Sequence, residues 1–428
     1  MKNGFATSAV VMLAAITLAA CTSSNGNSTG NGTTSADDTS GPITIGASLS
    51  LTGQFDVDGK AFDRGYKLWA ADVNAAGGID GRKVKLTIID DGSSINQAVT
   101  NYQTLIGTDH VDLAFGPFSS LLSGPASAVA ARFGMALIEG AGGAPTVFAT
   151  PSNQADHNVF DVSLPVAAEM NPFVQWISSL PPSERPKTAA FAMAQDPFAD
   201  PPVEQAETEL VNLGVNPVYT QTFPEQESSY KAPANAIAQL APDIVVLGSA
   251  DVPTVATFMQ VFDQDHYTPK MFIAAAGPDQ GAAFTSIVGT GNANGMMVPD
   301  GWFPGFQNAT SEKMVQEYVN EYGGSASGVN ADVAEAYSVG QVAEDAVIAT
   351  HGTNNQKIIN YLHSGVVLNT VQGKVKFDAL GENGAAAAFI FQWEHGSFNQ
   401  VLPLGSTGST PIISTKPHWT SPITSNGS

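Results

Sequence analysis

Residues 43–91, ITIGASLSLTGQFDVDGKAFDRGYKLWAADVNAAGGIDGRKVKLTIIDD, contain the pattern that decides the fold. The β-rich run 43–47 predicts a strand. The apolar residues that follow recur at the spacing of one helical face: Phe62, Tyr66, Trp69 and Val73. Gly77-Gly78 ends this helix, and 84–89 predicts a second strand. Strand, helix and strand in this order are typical of a parallel sheet with right-handed crossovers.

The same alternation continues along the chain. Strands are predicted at 111–115 and 135–138, on either side of a helix at 123–132. The rhythm then restarts, with strands predicted at 188–193, 218–223, 243–247 and 271–275 and helices at 203–213, 230–240 and 253–262. Because each set has about the size of one domain, we predict an α/β fold with two lobes. Later windows predict long helices at 311–322 and 332–350 and a hairpin of 389–393 with 398–402.

The first residues predict an exported, lipid-anchored protein. Lys2 precedes an apolar run at 9–18 that is too short to span a bilayer, so 1–20 is predicted to be a removed signal peptide. Leu18-Ala19-Ala20-Cys21 resembles the lipobox of bacterial lipoproteins, in which the thiol receives a lipid. Cys21 is the only cysteine, so the chain has no internal disulfide and lipidation explains the lone thiol. The alternative is an ordinary secretory signal with an incidental cysteine.

Composition restricts the remaining segments and the partners. The polar stretch 21–42 is predicted to be a flexible tether, and 403–428 a disordered or loosely docked tail. No later apolar run approaches the roughly 20 residues that span a membrane, so a soluble body is expected. The formal net charge of −22, from 17 Lys+Arg and 39 Asp+Glu, argues against nucleic acid as a partner.

Motifs of enzymes are not found in the sequence. The seven His residues include no His-x-x-x-His pair, no Gly-x-Ser-x-Gly elbow precedes a predicted helix, and the phosphate-binding Gly-x-x-x-x-Gly-Lys-Ser/Thr does not occur. Gly289-x-Gly291 follows no strong strand and indicates an ordinary loop. Asp90-Asp91 indicates either metal or acid–base chemistry or, as we favour, the polar end of a strand. We therefore predict no catalytic residue, no metal and no cofactor.

Polar groups at strand ends are the candidate ligand-binding residues. Open α/β sheets bind ligands beyond the carboxyl ends of their strands, where helix N-termini present free N–H groups. Ser119 and Ser120 follow the strand at 111–115 and precede a helix, so they either bind a carboxylate or cap that helix. The glycine-rich stretch 139–145 allows close approach of a ligand to the backbone, and Asp279 can oppose an ammonium group.

Several stretches together match one known family. LSLTG at 49–53, AADVNAAGGIDG at 70–81 and the strand ending in Asp90-Asp91 resemble the opening of the branched-chain amino acid binding proteins, which are type I solute-binding proteins of ABC importers. Three further segments resemble the same family: 116–127, Asp196-Pro197-Phe198 and Ala336-Tyr337-Ser338. The resemblance runs from about residue 43 to about residue 402.

The resemblance implies a fold and a domain division. It implies two Rossmann-like α/β lobes with parallel central sheets, joined by a three-stranded hinge, which close on the ligand. The implied segments are 43–163 and 296–388 for the first lobe and 164–295 and 389–402 for the second.

The resemblance also implies the residues of the ligand site. The serine that binds the ligand carboxylate falls on Ser120, with Ser119 beside it. The next loop, Ala141, Gly142 and Gly143, has glycine where the family has a threonine. The aromatic wall falls on Phe198 and the acid that pairs with the ammonium on Asp279. Ala250 stands near a position at which the family has an aromatic residue.

The implied function is that of an extracytoplasmic substrate-binding lipoprotein of an ABC importer. It would bind an amino acid, an amide or a similar small molecule and would contact a permease, with the membrane reached through the lipid on Cys21. One alternative is a ligand-sensing receptor subunit of the same fold that binds an amide or an aromatic acid. A hydrolase is the third, for which no nucleophile with a plausible base is found.

Overall fold

A computed structural model describes residues 41–225, 230–305 and 309–423. The predicted signal peptide 1–20, Cys21 and nearly all of the tether 21–42 lie outside the described residues. No helix in the described ranges is long and apolar enough to cross a membrane.

The N-terminal third forms a parallel sheet. Its strands are β1 (Ile43–Leu49), β2 (Val84–Asp90), β3 (Leu113–Phe115), β4 (Leu137–Glu139) and β5 (Val159–Asp161). Its helices are α1 (Asp56–Ala76), α2 (Ile95–Gly107), α3 (Ser120–Arg132), α4 (Pro145–Phe148) and α5 (Pro151–Asp156). The five described strands run in the order β2-β1-β3-β4-β5, all parallel. Apolar strand residues such as Ile45 and Phe115 are fully buried, as expected for a sheet covered by helices.

The middle of the chain builds a second α/β unit. Its strands are β6 (Thr188–Ala194), β7 (Asn216–Phe223), β8 (Ile244–Gly248), β9 (Met271–Ala274) and β10 (Met296–Asp300). Its helices are α6 (Asn171–Ser179), α7 (Asp200–Asn212), α8 (Lys231–Leu240), α9 (Val252–Gln264), α10 (Gly281–Val288) and α11 (Thr290–Ala293).

The C-terminal part contributes to both units. It comprises α12 (Ala309–Tyr322), α13 (Ala331–Thr350), α14 (Asn355–Leu362), β11 (Leu368–Thr370), β12 (Gly373–Val375), β13 (Phe389–Glu394) and β14 (Ser397–Leu402). The predicted hairpin is confirmed as β13 and β14, and it joins the second sheet through antiparallel pairing of β13 with β10. The second sheet has the strand order β14-β13-β10-β9-β8-β6-β7. It is therefore a mixed sheet, whereas a parallel sheet was expected.

The chain passes between the two sheets at three places within the described residues: after β5, after β10 and before β13. These crossovers lie side by side, because a Cβ built on Gly301 would lie 3.4 Å from the Leu164 Cβ and 4.0 Å from the Ala387 carbonyl oxygen. Strand β10 is hydrogen-bonded into the second sheet, whereas the expected division at 295/296 assigned it to the first lobe. The second crossover thus follows residue 300.

Helix α13 returns to the first unit and packs closely on α1. Gly65 of α1 faces the backbone of α13, and a Cβ there would lie 2.5 Å from the Val333 carbonyl oxygen. A Cβ on Gly340 would lie 2.1 Å from Cδ2 of the buried Trp69 ring. These two glycines let the helices approach, and their packing fixes the position of both helix N-termini.

The described residues 403–423 of the tail, for which disorder or loose docking was expected, lie against the second unit. The Lys416 Nζ is buried and donates to the carbonyl oxygens of Asn292 and Asn294, at 2.7 and 2.8 Å. The Trp419 indole donates to the Tyr267 carbonyl oxygen at 2.8 Å. The tail docks although it is poor in apolar residues, because its side chains donate hydrogen bonds to backbone carbonyl groups of the second unit.

We expect Gly340→Ala to lower the free energy of unfolding by about 1–3 kcal/mol, because the added methyl group overpacks the contact with Trp69. Gly124→Ala is the control, since Gly124 is also helical and nothing lies within 4 Å of its Cβ position. That change should raise stability by up to about 1 kcal/mol through helix propensity. Urea unfolding measures both, and equal effects of the two variants would contradict the close packing of α1 on α13.

Candidate functional site

A cavity lies where the carboxyl ends of strands from both sheets face each other. Its walls include residues that directly follow β3, β4, β6, β8, β9 and β10. This is the place where open α/β sheets bind ligands, because the loops there leave backbone groups and helix N-termini free.

Most of the residues predicted from the sequence line this cavity. Those that do are Ser119, Ala141, Gly143, Phe198, Ala250 and Asp279. Ser120 and Gly142 are not among the lining residues. The Ser120 hydroxyl lies 3.3 Å from both the Ala141 carbonyl oxygen and the Ala144 nitrogen, so Ser120 holds the glycine-rich loop in place. Gly142 packs against the buried Glu139 carboxyl, where a Cβ would lie 2.0 Å from Oε1.

Ser119 presents a polar group to the cavity. It occupies the N-cap position of α3, but its side chain makes no capping hydrogen bond. Only 3% of the residue is exposed, and Oγ has no hydrogen-bond partner in the protein. A buried hydroxyl without a partner is uncommon and indicates a place where another molecule binds. The interpretation of Ser119 as a simple helix cap therefore does not hold.

The loop after β4 needs its glycines for close packing. A Cβ on Gly140 would lie 3.2 Å from the Glu335 Cβ, and a Cβ on Gly143 would lie 2.9 Å from Asp161 Oδ2. Glycine at 143, in place of the threonine implied by the family resemblance, therefore leaves room for a buried carboxyl group.

Two aromatic side chains lie among the described lining residues. Phe198 follows β6, as predicted. Phe118 follows β3, and its ring packs against Phe55 and Phe62 with centroid distances of 5.8 and 5.6 Å. Phe118 was missed because it immediately precedes Ser119 and Ser120, which were the predicted polar residues, and a phenylalanine after a strand predicts core packing and not a function.

Hydrogen bonds join the two units across the cavity. The Gln280 amide, after β9, donates to Asp332 Oδ2 of α13 at 3.0 Å and accepts from Asn330 Nδ2 at 2.8 Å. At a second place the Gln54 amide donates to Glu225 Oε1 and Asp251 Oδ2, both at 2.7 Å. The two units are therefore in contact across the cavity in this conformation.

Carboxyl groups dominate the polar lining. Asp279 was predicted, and the structure adds five carboxyl side chains in the described part of the chain: Asp58, Glu169, Asp300, Asp332 and Glu335. Asp332 and Glu335 are three residues apart on α13, a spacing that places them on one helix face and could have drawn attention to them. Glu169 and Asp300 lie at the crossovers, where no sequence periodicity applies.

Burial and mutual repulsion change the protonation of these carboxyls. Burial raises the pKa of Glu335 well above its ordinary value, and the charges of Asp332 and Asp300 raise it further. Burial and the charge of Asp300 likewise raise the pKa of Glu169. Burial raises the pKa of Asp58, and repulsion from Asp332 adds to the increase. Each of these shifts favours the protonated form of the carboxyl group.

The favoured interpretation of Asp90-Asp91 agrees with the structure. Asp91 is buried and accepts hydrogen bonds from the Ser48 and Ser50 hydroxyls at 3.0 and 2.7 Å. Asp90 accepts from the backbone of Leu51 at 3.0 Å. Neither lines the cavity. Throughout the described ranges, no three His, Cys, Asp or Glu side chains are grouped in a way that could hold a metal ion.

Comparison with known proteins places this architecture in a family. The family described as periplasmic binding protein matches residues 42–397, and the chain belongs to it. A curated relative is the amino acid binding protein of Pseudomonas aeruginosa, 23% identical over 374 residues that cover 84% of this chain and 92% of the relative.

Solved structures show the same fold. The branched-chain amino acid transporter substrate-binding protein LivJ of Streptococcus pneumoniae, in complex with isoleucine, is 18% identical with a TM-score of 0.71, over 83% of this chain and 97% of LivJ. An ABC transporter solute-binding protein of R. palustris, in complex with benzoate, is 17% identical with a TM-score of 0.70, over 84% and 95%. The predicted type I periplasmic binding protein fold is confirmed.

We expect the ligand-free protein to become more stable as the pH falls from 8 to 5. Within this range the buried carboxyls of the folded state bind protons, whereas those of the unfolded chain stay ionised, so lowering the pH favours folding. Glu335→Gln should raise the free energy of unfolding at pH 8, because burial and the charges of Asp332 and Asp300 raise the pKa of the Glu335 carboxyl and disfavour its ionised form in the folded state. It should also flatten the pH profile.

Urea unfolding at pH 5, 6, 7 and 8 measures this dependence. The control is Glu321→Gln, at an exposed position outside the cavity, which should leave the profile unchanged. Stability that decreases between pH 8 and pH 5 would contradict burial of ionisable carboxyls in the cavity.

Proposed function

We propose that this chain is the extracytoplasmic substrate-binding component of an ABC importer, held at the membrane by a lipid on Cys21. The single observation that supports it best is a cavity between two α/β units that contains an unpartnered, buried Ser119 hydroxyl on one side and Asp279 on the other. The membership of the periplasmic binding protein family and the predicted lipobox support the extracytoplasmic location.

The proposed ligand is an amino acid or a related small molecule with an amino group. An anionic or polar ligand group binds at Ser119 and the first-turn amides of α3, where the helix dipole is positive. An amino group pairs with Asp279, which lines the opposite side of the cavity. LivJ with isoleucine and the R. palustris protein with benzoate illustrate the range of small ligands in this fold.

Ligand binding stabilises the closed arrangement of the two units. The three adjacent crossovers form the hinge, and Gln54 and Gln280 supply direct hydrogen bonds between the two units. A ligand that contacts Ser119 and Asp279 at once binds the closed state better than the open one, so it shifts the population towards closure. In the closed state the two units together form one continuous surface, which the permease recognises. No covalent step is needed.

We expect Ser119→Ala to leave the stability of the ligand-free protein almost unchanged, because the removed hydroxyl has no partner in the protein. Its affinity should fall about tenfold for the compound that most raises the melting temperature in a screen of amino acids, amides and aromatic acids. Ser127→Ala, in the same helix but away from the cavity, is the matched control. Unchanged affinity of Ser119→Ala would contradict the binding mode.

The import role is tested with candidate ABC permeases of the organism that produces this chain, each reconstituted separately. In lipid vesicles that contain the permease, ligand-loaded protein should stimulate ATP hydrolysis several-fold over ligand-free protein. Ligand binding without any stimulation would instead support the sensing receptor subunit of the same fold.

A further inference from the structure

The cavity contains more carboxyl groups than one amino group can pair with. Six carboxyl side chains line it in the described part of the chain, namely Asp58, Glu169, Asp279, Asp300, Asp332 and Glu335. No Lys, Arg or His is found among the described lining residues. All six are buried or half-buried, so solvent screens them poorly.

The carboxyls approach the cavity from both units. Asp58 belongs to α1, and Asp332 and Glu335 belong to α13, both of which pack with the first sheet. Asp279 follows β9, Asp300 ends β10, and Glu169 follows the first crossover. Closing the cavity therefore brings like charges together, and a ligand with positive groups offsets this repulsion.

Two buried atoms indicate independently that a ligand binds here. Ser119 and Glu169 both line the cavity, and their atoms Oγ and Oε2 are buried and have no hydrogen-bond partner in the protein. The two residues are only 3% and 8% exposed. The Glu169 oxygen is a suitable acceptor for the N–H groups of an amine or a guanidinium, and the Ser119 hydroxyl can donate to a polar group of the same ligand.

The arrangement of the carboxyls favours an extended ligand over a metal ion. A bound Ca²⁺ or Mg²⁺ needs several oxygen ligands around one point, and the described acidic side chains are not grouped in this way. Carboxyls spread along the walls can instead pair with basic groups at separate places on one organic molecule.

We propose that the cavity binds a small organic cation with two or more basic nitrogen groups, such as a diamine, a guanidino compound or a basic amino acid. This proposal rests on the function proposed above and specifies its ligand class. A neutral α-amino acid would compensate one carboxylate only, and an aromatic acid would add a further negative charge to a buried acidic surface.

Matched ligands test the second basic group. Putrescine and butylamine have the same carbon chain with two amines and one amine, and lysine and norleucine differ in the same way. We expect the member with two amino groups to bind at least about tenfold more tightly in at least one pair, since hydrogen bonds to charged groups are the stronger ones. Leucine and benzoate should not raise the melting temperature. Comparison of the putrescine pair with the lysine pair shows whether the cavity prefers a simple diamine or a basic amino acid.

Variants test whether the acidic lining is responsible. Glu335→Gln should lower the affinity for the bound compound with two basic groups at least about tenfold while it stabilises the ligand-free protein, so a folding defect cannot explain the loss. Glu344→Gln is the matched control, because Glu344 lies on the same helix and does not line the cavity. Its affinity should equal that of the unmodified protein.

Calorimetry adds a readout that only binding of a cation would change. Protonated carboxyls release protons when a cation binds, so the measured enthalpy should vary with the ionisation enthalpy of the buffer. If leucine or benzoate bound and neither putrescine nor lysine did, the proposed ligand class would be overturned. The proposed solute-binding function would still be supported. If no compound of either class bound, the proposed function would lose its support as well.

Discussion

Repulsion between buried carboxyls is the constraint on which the closed cavity depends. Asp58, Asp332 and Glu335 face Asp279 and Asp300 across a cavity without basic lining residues in the described chain. Such a set remains in a folded protein only if protons, amide donors or a bound cation compensate it. Gln280 supplies part of this compensation, since its amide donates to both Asp279 and Asp332 at 2.7 and 3.0 Å.

Close packing of α1 on α13 places three of these carboxyls. The glycines at 65 and 340 let the two helices approach until they touch through backbone and the Trp69 ring. The N-terminal turns that contain Asp58 and Asp332 then lie at the edge of the cavity. Because helices move as rigid bodies, the close contact at these two glycines determines where the carboxyl groups on α1 and α13 lie in the cavity.

Crossovers between the sheets have a second role beyond linking the units. Glu169 and Asp300 lie beside the first two crossovers, so bending at the hinge changes the distance between charged groups as well as the shape of the cavity. A charged ligand is therefore coupled to closure through both contact and repulsion. An uncharged ligand would act through contact alone.

Local patterns in the sequence determined the elements and much of the site. The strands, the helix that Gly77 ends at a φ of 116°, and the hairpin follow from periodicity and turn chemistry, while Ser119 and Asp279 follow from their places after strands. Only the tertiary structure decided that β10 joins the second sheet, that the tail docks, and that Ser119 rather than Ser120 lines the cavity. It also placed Asp58, Glu169 and Glu335 in one cavity although they come from distant segments. Local spacing cannot predict this arrangement, because burial and repulsion act here between residues that are far apart in the chain.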